Sequence, residues 1–111
     1  ALYSDVINYI NWRIKDDVRV SEIAAYFGYN EKYMTTFFKK ASGKSLKQFI
    51  LERKMEEAKA LLSDSTRTVS EIAYSLGFSD NHNFSRAFKK VTGQSPSEYR
   101  DSFADRMLYN V

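Results

Sequence analysis

Hydrogen-bonding side chains cluster at the start of one predicted helix, near residue 81. The members of the cluster are Asn81, His82, Asn83 and Arg86. Their spacing places them opposite the apolar Phe84 and Phe88. Arginine pairs with guanine through two hydrogen bonds and asparagine with adenine, so these residues are candidates for base contacts. The alternatives are an ion-paired surface arginine and a merely solvated histidine.

A second cluster of candidates lies in an earlier predicted helix. Its outward residues are Lys32, Thr35 and Thr36. Threonine offers a hydroxyl group to a base and a methyl group to thymine. The alternative interpretation is that both threonines are only spacers on a solvated face.

Each cluster is followed by a pair of lysines, and these pairs concentrate the positive charge of the chain. The pairs are Lys39 with Lys40 and Lys89 with Lys90. The positive charge is concentrated in two separated blocks, residues 30–47 with a net charge of +4 and residues 81–96 with a net charge of +3, a pattern that suggests a polyanionic partner. We expect these lysines to contact phosphates, although a lysine stem can instead cover apolar surface.

Composition excludes several other classes of chemistry. The chain of 111 residues contains no cysteine and one histidine, which excludes disulfides, thiol nucleophiles and multi-histidine metal centres. No pairing of a nucleophile with a base and no phosphate-binding loop is recognisable, so we predict neither an enzyme nor a cofactor. No apolar run is long enough to span a membrane and no signal peptide opens the chain, so we expect no membrane contact and a cytoplasmic location.

The elements that must position these clusters occur twice. The segment Val20–Ala24 recurs as Val69–Ala73, and each copy is followed by a glycine. Phe38-Lys-Lys then recurs as Phe88-Lys-Lys. Two copies are too few for a solenoid, and each has the size of a supersecondary motif.

Each copy is typical of two helices joined by a tight turn. In the first copy Val20, Ile23, Ala24 and Phe27 form an apolar helical stripe that ends at Gly28. The residues that should face inward in the two second helices are Met34, Phe37, Phe38, Ala41, Phe84, Ala87, Phe88 and Val91. A small alanine at the helix crossing and a glycine at the turn indicate a helix-turn-helix motif. Thr68 and Glu71 predict a capping box at the start of the second copy.

The remaining segments predict further helices and no strand. Residues 45–62 read as one continuous helix between the copies, and Val6, Ile7, Ile10 and Ile14 indicate an amphipathic first helix. Ser95, Pro96 and Glu98 begin a last helix, after which residues 101–111 are expected to be a partly disordered tail. We expect Trp12 and the Phe and Tyr residues other than Tyr33 to belong to the core.

The pattern Ile72-Ala73-x-x-x-Gly77-Phe78-Ser79-Asp80 resembles the DNA-binding domain of AraC/XylS-type bacterial transcription regulators. The later run Phe84-Ser85-Arg86-x-Phe88-Lys89-Lys90-x-x-Gly93-x-Ser95-Pro96-x-x-Tyr99-Arg100 fits the same family. Lys54 occupies a linker position that the family mostly fills with arginine.

The resemblance covers about residues 4–102 and implies a homeodomain-like, all-α domain of seven helices. It implies two helix-turn-helix subdomains, at about residues 20–42 and 69–92, joined by a long central helix at about 45–62. Residues 103–111 would be a C-terminal tail.

The resulting hypothesis is sequence-specific binding of double-stranded DNA for transcription regulation, with one recognition helix from each motif in successive major grooves. The alternative is a helix-turn-helix module that binds protein. Because the chain begins with Ala1 and resembles the C-terminal part of larger regulators, we expect an N-terminal sensor, receiver or dimerisation domain in the full-length protein. RNA polymerase is a candidate further partner.

Overall fold

The computed structural model describes residues 1–64 and 66–109, with side chains described as far as Ala104. All regular elements in these ranges are α-helices. They are α1 (Leu2–Arg13), α2 (Val20–Phe27), α3 (Glu31–Ser42), α4 (Leu46–Asp64), α5 (Val69–Ser75), α6 (Asn81–Thr92) and α7 (Pro96–Tyr109). The prediction of a seven-helix, all-α chain is confirmed for the described residues.

The chain forms two compact units, called unit 1 (Ala1–Lys54) and unit 2 (Met55–Val111). The boundary between them falls inside α4, which continues without interruption from Leu46 to Asp64. Helix α4 therefore contributes its first half to one core and its second half to the other.

Each unit contains one of the two predicted helix pairs, α2 with α3 and α5 with α6. Gly28 and Gly77 occupy the turns with φ of 78° and 88°, a left-handed conformation that glycine adopts without steric cost. The backbone amide of the residue after each glycine donates to the carbonyl oxygen of the buried alanine in the preceding helix. The distance is 2.9 Å from Tyr29 to Ala24 and 3.0 Å from Phe78 to Ala73. The prediction of two helix-turn-helix motifs is confirmed.

The two motifs differ in how their first helices begin. Thr68 accepts from the amide of Glu71 at 3.1 Å while the Glu71 carboxylate accepts from the amide of Thr68 at 3.3 Å, which is the predicted capping box. Arg19 occupies the equivalent position before α2 and forms no side-chain cap. At the start of α5, side chains accept hydrogen bonds from two backbone amide groups. No side chain caps the start of α2 in this way.

We expect Thr68→Ala to lower the free energy of unfolding of unit 2 by about 0.5–2 kcal/mol, because the cap of α5 is lost. Amide hydrogen exchange should show faster opening at the first turn of α5. Arg19→Ala is the matched control and should leave protection at the start of α2 unchanged. Equal effects of the two substitutions would contradict the assignment of the capping box.

The core of unit 1 is built from α1, α2, α3 and the first half of α4. Its largest fully buried side chains are Ile10, Ile23, Met34, Phe38, Leu46 and Val6. Tyr9 lies at the edge, where its hydroxyl donates to Glu22 at 2.5 Å. Burial, together with this hydrogen bond to a carboxylate, raises the pKa of Tyr9 to about 12. The tyrosine therefore stays neutral and holds α1 against α2.

Two basic residues of α4 fasten this helix to α1 and to the segment that follows α1. Arg53 donates to Asn11 at 2.8 Å, and the buried Lys54 lies 3.5 Å from Asp17. Burial alone would raise the pKa of Asp17, but the hydrogen bond from Arg19 and the charge of Lys54 hold it below its usual value. Lys54 is thus an anchor within unit 1.

The core of unit 2 contains a chain of aromatic rings. Phe84 lies 5.4 Å from Phe78 and 5.9 Å from Phe88, which lies 5.7 Å from Tyr99 of α7. Met55, Ala58, Leu62, Ile72 and Leu76 complete the buried set with Ala73. Helix α6 is therefore held between α5 and α7 by its two buried phenylalanines.

The end of α4 is closed by a side chain from α7. Arg100 donates to the carbonyl of Leu62 at 3.0 Å and to that of Arg67 at 2.7 Å. Carbonyl groups in the last turn of a helix lack partners within the helix, so this arginine satisfies one of them.

Several aromatic residues that were expected in the core lie at the surface. The prediction is wrong for Trp12, Tyr26, Tyr29 and Tyr74, which are 72%, 63%, 40% and 60% exposed. Trp12, Tyr26 and Tyr74 each follow a buried residue by two positions, a rotation of about 200° around the helix that turns the ring away from the core. Ala41 is also exposed rather than inward, and Phe37 is only half buried.

The last helix is longer than expected. Ser95 and Glu98 exchange hydrogen bonds between side chain and backbone, and α7 continues to Tyr109. Residues 101–109 thus extend α7, and no glycine or proline interrupts them. Residues 110 and 111 lie outside the described residues. No described helix is both long and apolar enough to cross a membrane.

Candidate nucleic-acid interface

The outer face of α6 carries the four polar candidates of the second motif. Asn81, His82, Asn83 and Arg86 are all exposed, as the sequence predicted. The inward prediction is confirmed for Phe84 and Phe88, which are fully buried, whereas Ala87 and Val91 are only half buried. The helix thus separates an apolar inner side from a polar outer side.

Hydrogen bonds organise part of this face. Asp80 caps α6 by accepting from the amide of Asn83 at 2.7 Å, and it also accepts from the Asn83 side chain at 3.3 Å. The side-chain oxygen of Asn83 then accepts from Arg86 at 3.2 Å. This bond occupies one N–H of a guanidinium that has five, so Arg86 is oriented while retaining donors for a planar acceptor pair.

A neighbouring residue that the sequence analysis missed as part of this face is Ser85. Its hydroxyl donates to the side-chain oxygen of Asn81 at 3.0 Å. The spacing of four positions on one helix is the signal that could have revealed this pair. This bond uses the side-chain oxygen of Asn81 and leaves its amide N–H groups as donors for another acceptor.

The exposed face of α3 places Lys32, Thr35 and Thr36 at the surface, as predicted. Asn30 begins the helix by accepting from the amide of Tyr33 at 2.7 Å. Beside Thr36 the surface forms a groove of about 430 Å³, lined also by Tyr33, Phe37, Lys40 and Ala41. This apolar groove, which the sequence analysis did not predict, is called the α3 groove below.

The two lysine pairs occupy the last turns of their helices. Lys39, Lys40, Lys89 and Lys90 are all exposed. Positive charges at the C-terminal end of a helix interact favourably with the helix dipole, so these lysines also stabilise their own helices. Lys40 also lines the α3 groove, in agreement with the alternative that a lysine stem covers apolar surface.

Among the described residues, no group of three or more histidine, aspartate or glutamate side chains is arranged to hold a metal ion. What the two faces share is hydrogen-bonding capacity, positive charge and exposure on the second helix of a motif. These properties suit contact with a polar, negatively charged surface.

The fold and the two faces define the class of this chain, a domain with two helix-turn-helix motifs. Residues 19–102 match a family model described as a helix-turn-helix domain. The chain belongs to this family, in its AraC type, and solved structures of the same fold include AraC-family regulators. Both family and fold are those of transcriptional regulators rather than enzymes.

Individual relatives agree with this assignment. The chain is 34% identical over 100 residues to the Msm operon regulatory protein of Streptococcus mutans, covering 90% of this chain and 36% of that protein. The chain thus spans a minor part of that relative's length.

Two solved structures illustrate the likeness in fold. The C-terminal domain of AraT, a response regulator from Geobacillus stearothermophilus, has a TM-score of 0.84 and 28% identity over 91% of this chain and 84% of that one. The DNA-binding domain of AdpA, determined in complex with a target DNA, has a TM-score of 0.85 and covers 94% of both chains. Its identity of 22% makes it evidence for the fold alone.

Proposed function

We propose that this chain binds double-stranded DNA sequence-specifically and thereby regulates transcription, with α3 and α6 as its recognition helices. The observation that carries the proposal is the repeated exposed face, polar or basic, on the second helix of each motif. In helix-turn-helix proteins this helix enters the major groove and its first residues contact base edges. Membership in a family of transcriptional regulators supports the same function.

The side chains divide into two roles. Base contacts are assigned to Lys32, Thr35, Thr36, Asn81, His82, Asn83 and Arg86. Phosphate contacts, which position the protein without reading sequence, are assigned to Lys39, Lys40, Lys89 and Lys90. Arg86 donates to Asn83, which in turn donates to Asp80, and these bonds support a base-reading role because they orient the guanidinium before DNA binds.

One chain would place its two recognition helices in successive major grooves. The presence of one exposed recognition helix in each of the two motifs supports this arrangement. Footprinting on a selected duplex should then show two protected major-groove segments about one helical turn apart. A footprint confined to one groove would restrict reading to a single motif.

The remaining proposals concern the whole protein. A longer relative named as an operon regulatory protein is consistent with an additional N-terminal sensor, receiver or dimerisation domain here, with RNA polymerase as a further partner and with action in the bacterial cytoplasm. A module that only binds protein is the less favoured alternative, because protein binding does not account for exposed basic residues at the same positions on both recognition helices.

Salt dependence provides the decisive test. If each of the four lysines contacts one phosphate, the affinity for duplex DNA should fall with a slope of about −3.6 in log K against log salt. Fluorescence anisotropy at several salt concentrations measures the slope, and Lys90→Ala should reduce its magnitude by about one on every duplex.

Lys59→Ala is the matched control for this experiment, because Lys59 already lies 3.3 Å from Glu56 on α4. It should leave the slope unchanged. The proposal fails if duplex binding is absent, or if it is insensitive to salt and to Lys90→Ala.

A further inference from the structure

The two recognition helices correspond position by position, yet their outer faces differ in chemistry. Both contain 12 residues, and they run from the caps Asn30 and Asp80 to the glycines Gly43 and Gly93. Counting from the caps places Tyr33 at the position of Asn83 and Thr36 at the position of Arg86. The hydrogen-bonding pair of α6 is thus replaced in α3 by an aromatic ring and a threonine.

The aromatic side of α3 is a continuous row of rings. Tyr33 stacks on Tyr29 with centroids 4.5 Å apart and rings 15° from parallel, and Phe37 follows Tyr33 at 6.3 Å. The stacking limits the rotation of the Tyr33 ring, although the side chain is 49% exposed. Two rings of this row, Tyr33 and Phe37, line the α3 groove together with Thr36, Lys40 and Ala41.

The major groove of DNA offers one apolar group on its base edges, the C5 methyl group of thymine. A surface that joins a threonine methyl group to an aromatic ring is complementary to that group, and it lacks the planar pair of donors with which arginine contacts guanine. Lys40 lines the groove, and Lys32 and Lys39 are exposed on the same helix. These positive charges favour a polyanion over an apolar protein surface as the occupant.

We propose, on the basis of the proposed function, that α3 selects thymine. The C5 methyl group of the thymine would make apolar contact with Thr36 and with the ring of Tyr33. Helix α6 reads its half of the site differently, through hydrogen bonds from Asn83 and Arg86. The two halves of the binding site therefore obey different chemical rules, and the specificity of unit 1 depends on a methyl group.

Replacing thymine by deoxyuridine tests the inference, because it removes the methyl group and keeps every hydrogen-bonding group. The test uses a duplex selected with the full chain and substitutes each thymine in turn. We expect about fourfold weaker binding at one or two thymines, the fold-change that corresponds to about 0.8 kcal/mol for a buried methyl group. These thymines should lie outside the half whose base preference changes in Arg86→Ala.

Thr36→Ser links the effect to the groove, since it removes the threonine methyl group and keeps the hydroxyl group. The variant should bind thymine-containing and uracil-containing duplexes with affinities that differ by less than twofold. Thr66→Ser is the matched control, because Thr66 is an exposed threonine between α4 and α5, outside both recognition helices, and it should retain the fourfold preference.

The outcomes separate this inference from the proposed function. Specific, salt-dependent binding that is equally strong to the fully uracil-substituted duplex would overturn the methyl-reading inference and leave DNA binding intact. A thymine preference that Thr36→Ser leaves unchanged, or that Thr66→Ser changes equally, would overturn the role of the α3 groove. Absence of duplex binding would overturn both.

Discussion

Phe88→Ala should lower the free energy of unfolding by about 3–5 kcal/mol, the largest effect that we expect of any single substitution in unit 2. The Phe88 ring is completely buried and contacts both Phe84 and Tyr99, so its removal leaves a cavity where α6 meets α7. A loss of this size is a large fraction of the stability of a small domain. Binding to DNA through α6 should be lost at temperatures at which unit 2 has become unfolded.

Urea denaturation followed by circular dichroism, with amide exchange to assign the transition, measures this effect. Tyr74→Ala is the control, because it removes a ring of similar size that is mostly exposed, and it should change stability by no more than about 0.5 kcal/mol. Phe88→Leu should cost less than Phe88→Ala, since it leaves a smaller cavity. A loss below about 1 kcal/mol in Phe88→Ala would contradict the packing of α6 described above.

Arg86→Ala should weaken binding to a selected duplex by about 1–3 kcal/mol and relax the base preference at one position. The physical reason is the loss of two hydrogen bonds to one base edge from a guanidinium that Asn83 already orients. Arg86→Lys should recover little of the preference, because an ammonium group cannot form the same paired contact. Selection of binding sites by each variant, followed by sequencing, measures the preference directly.

Lys89→Ala is the matched control for Arg86→Ala, since it removes one positive charge from the same exposed helix. It should weaken selected and scrambled duplexes by equal factors and leave the preferred sequence unchanged. If Arg86→Ala discriminates between selected and scrambled duplexes as well as the parent protein does, Arg86 does not read a base.

The sequence by itself determined the features that depend on near neighbours in the chain. The repeated stripe of apolar residues predicted α2 and α5, because burial of one helix face requires a period of 3.6 residues. Gly28 and Gly77 marked the turns, since only glycine adopts positive φ without cost. The Thr68–Glu71 capping box and the exposed base-contact candidates on α6 followed from the same local rules. The resemblance to the family rested on residues of the same repeated motifs.

Only the tertiary structure decided which side chains meet across the fold. Helix periodicity turns Trp12 and Tyr74 away from the apolar side of their own helices, but only the packing of the helices decided that these large rings stay exposed. The sequence alone could not show that Arg100 closes the end of α4 or that Lys54 lies beside Asp17. The α3 groove also belongs here, since its walls arise from the exposure of Tyr33 and Ala41 together. Helix periodicity determines on which side of its own helix a residue lies, but only the packing of helices determines what that side faces.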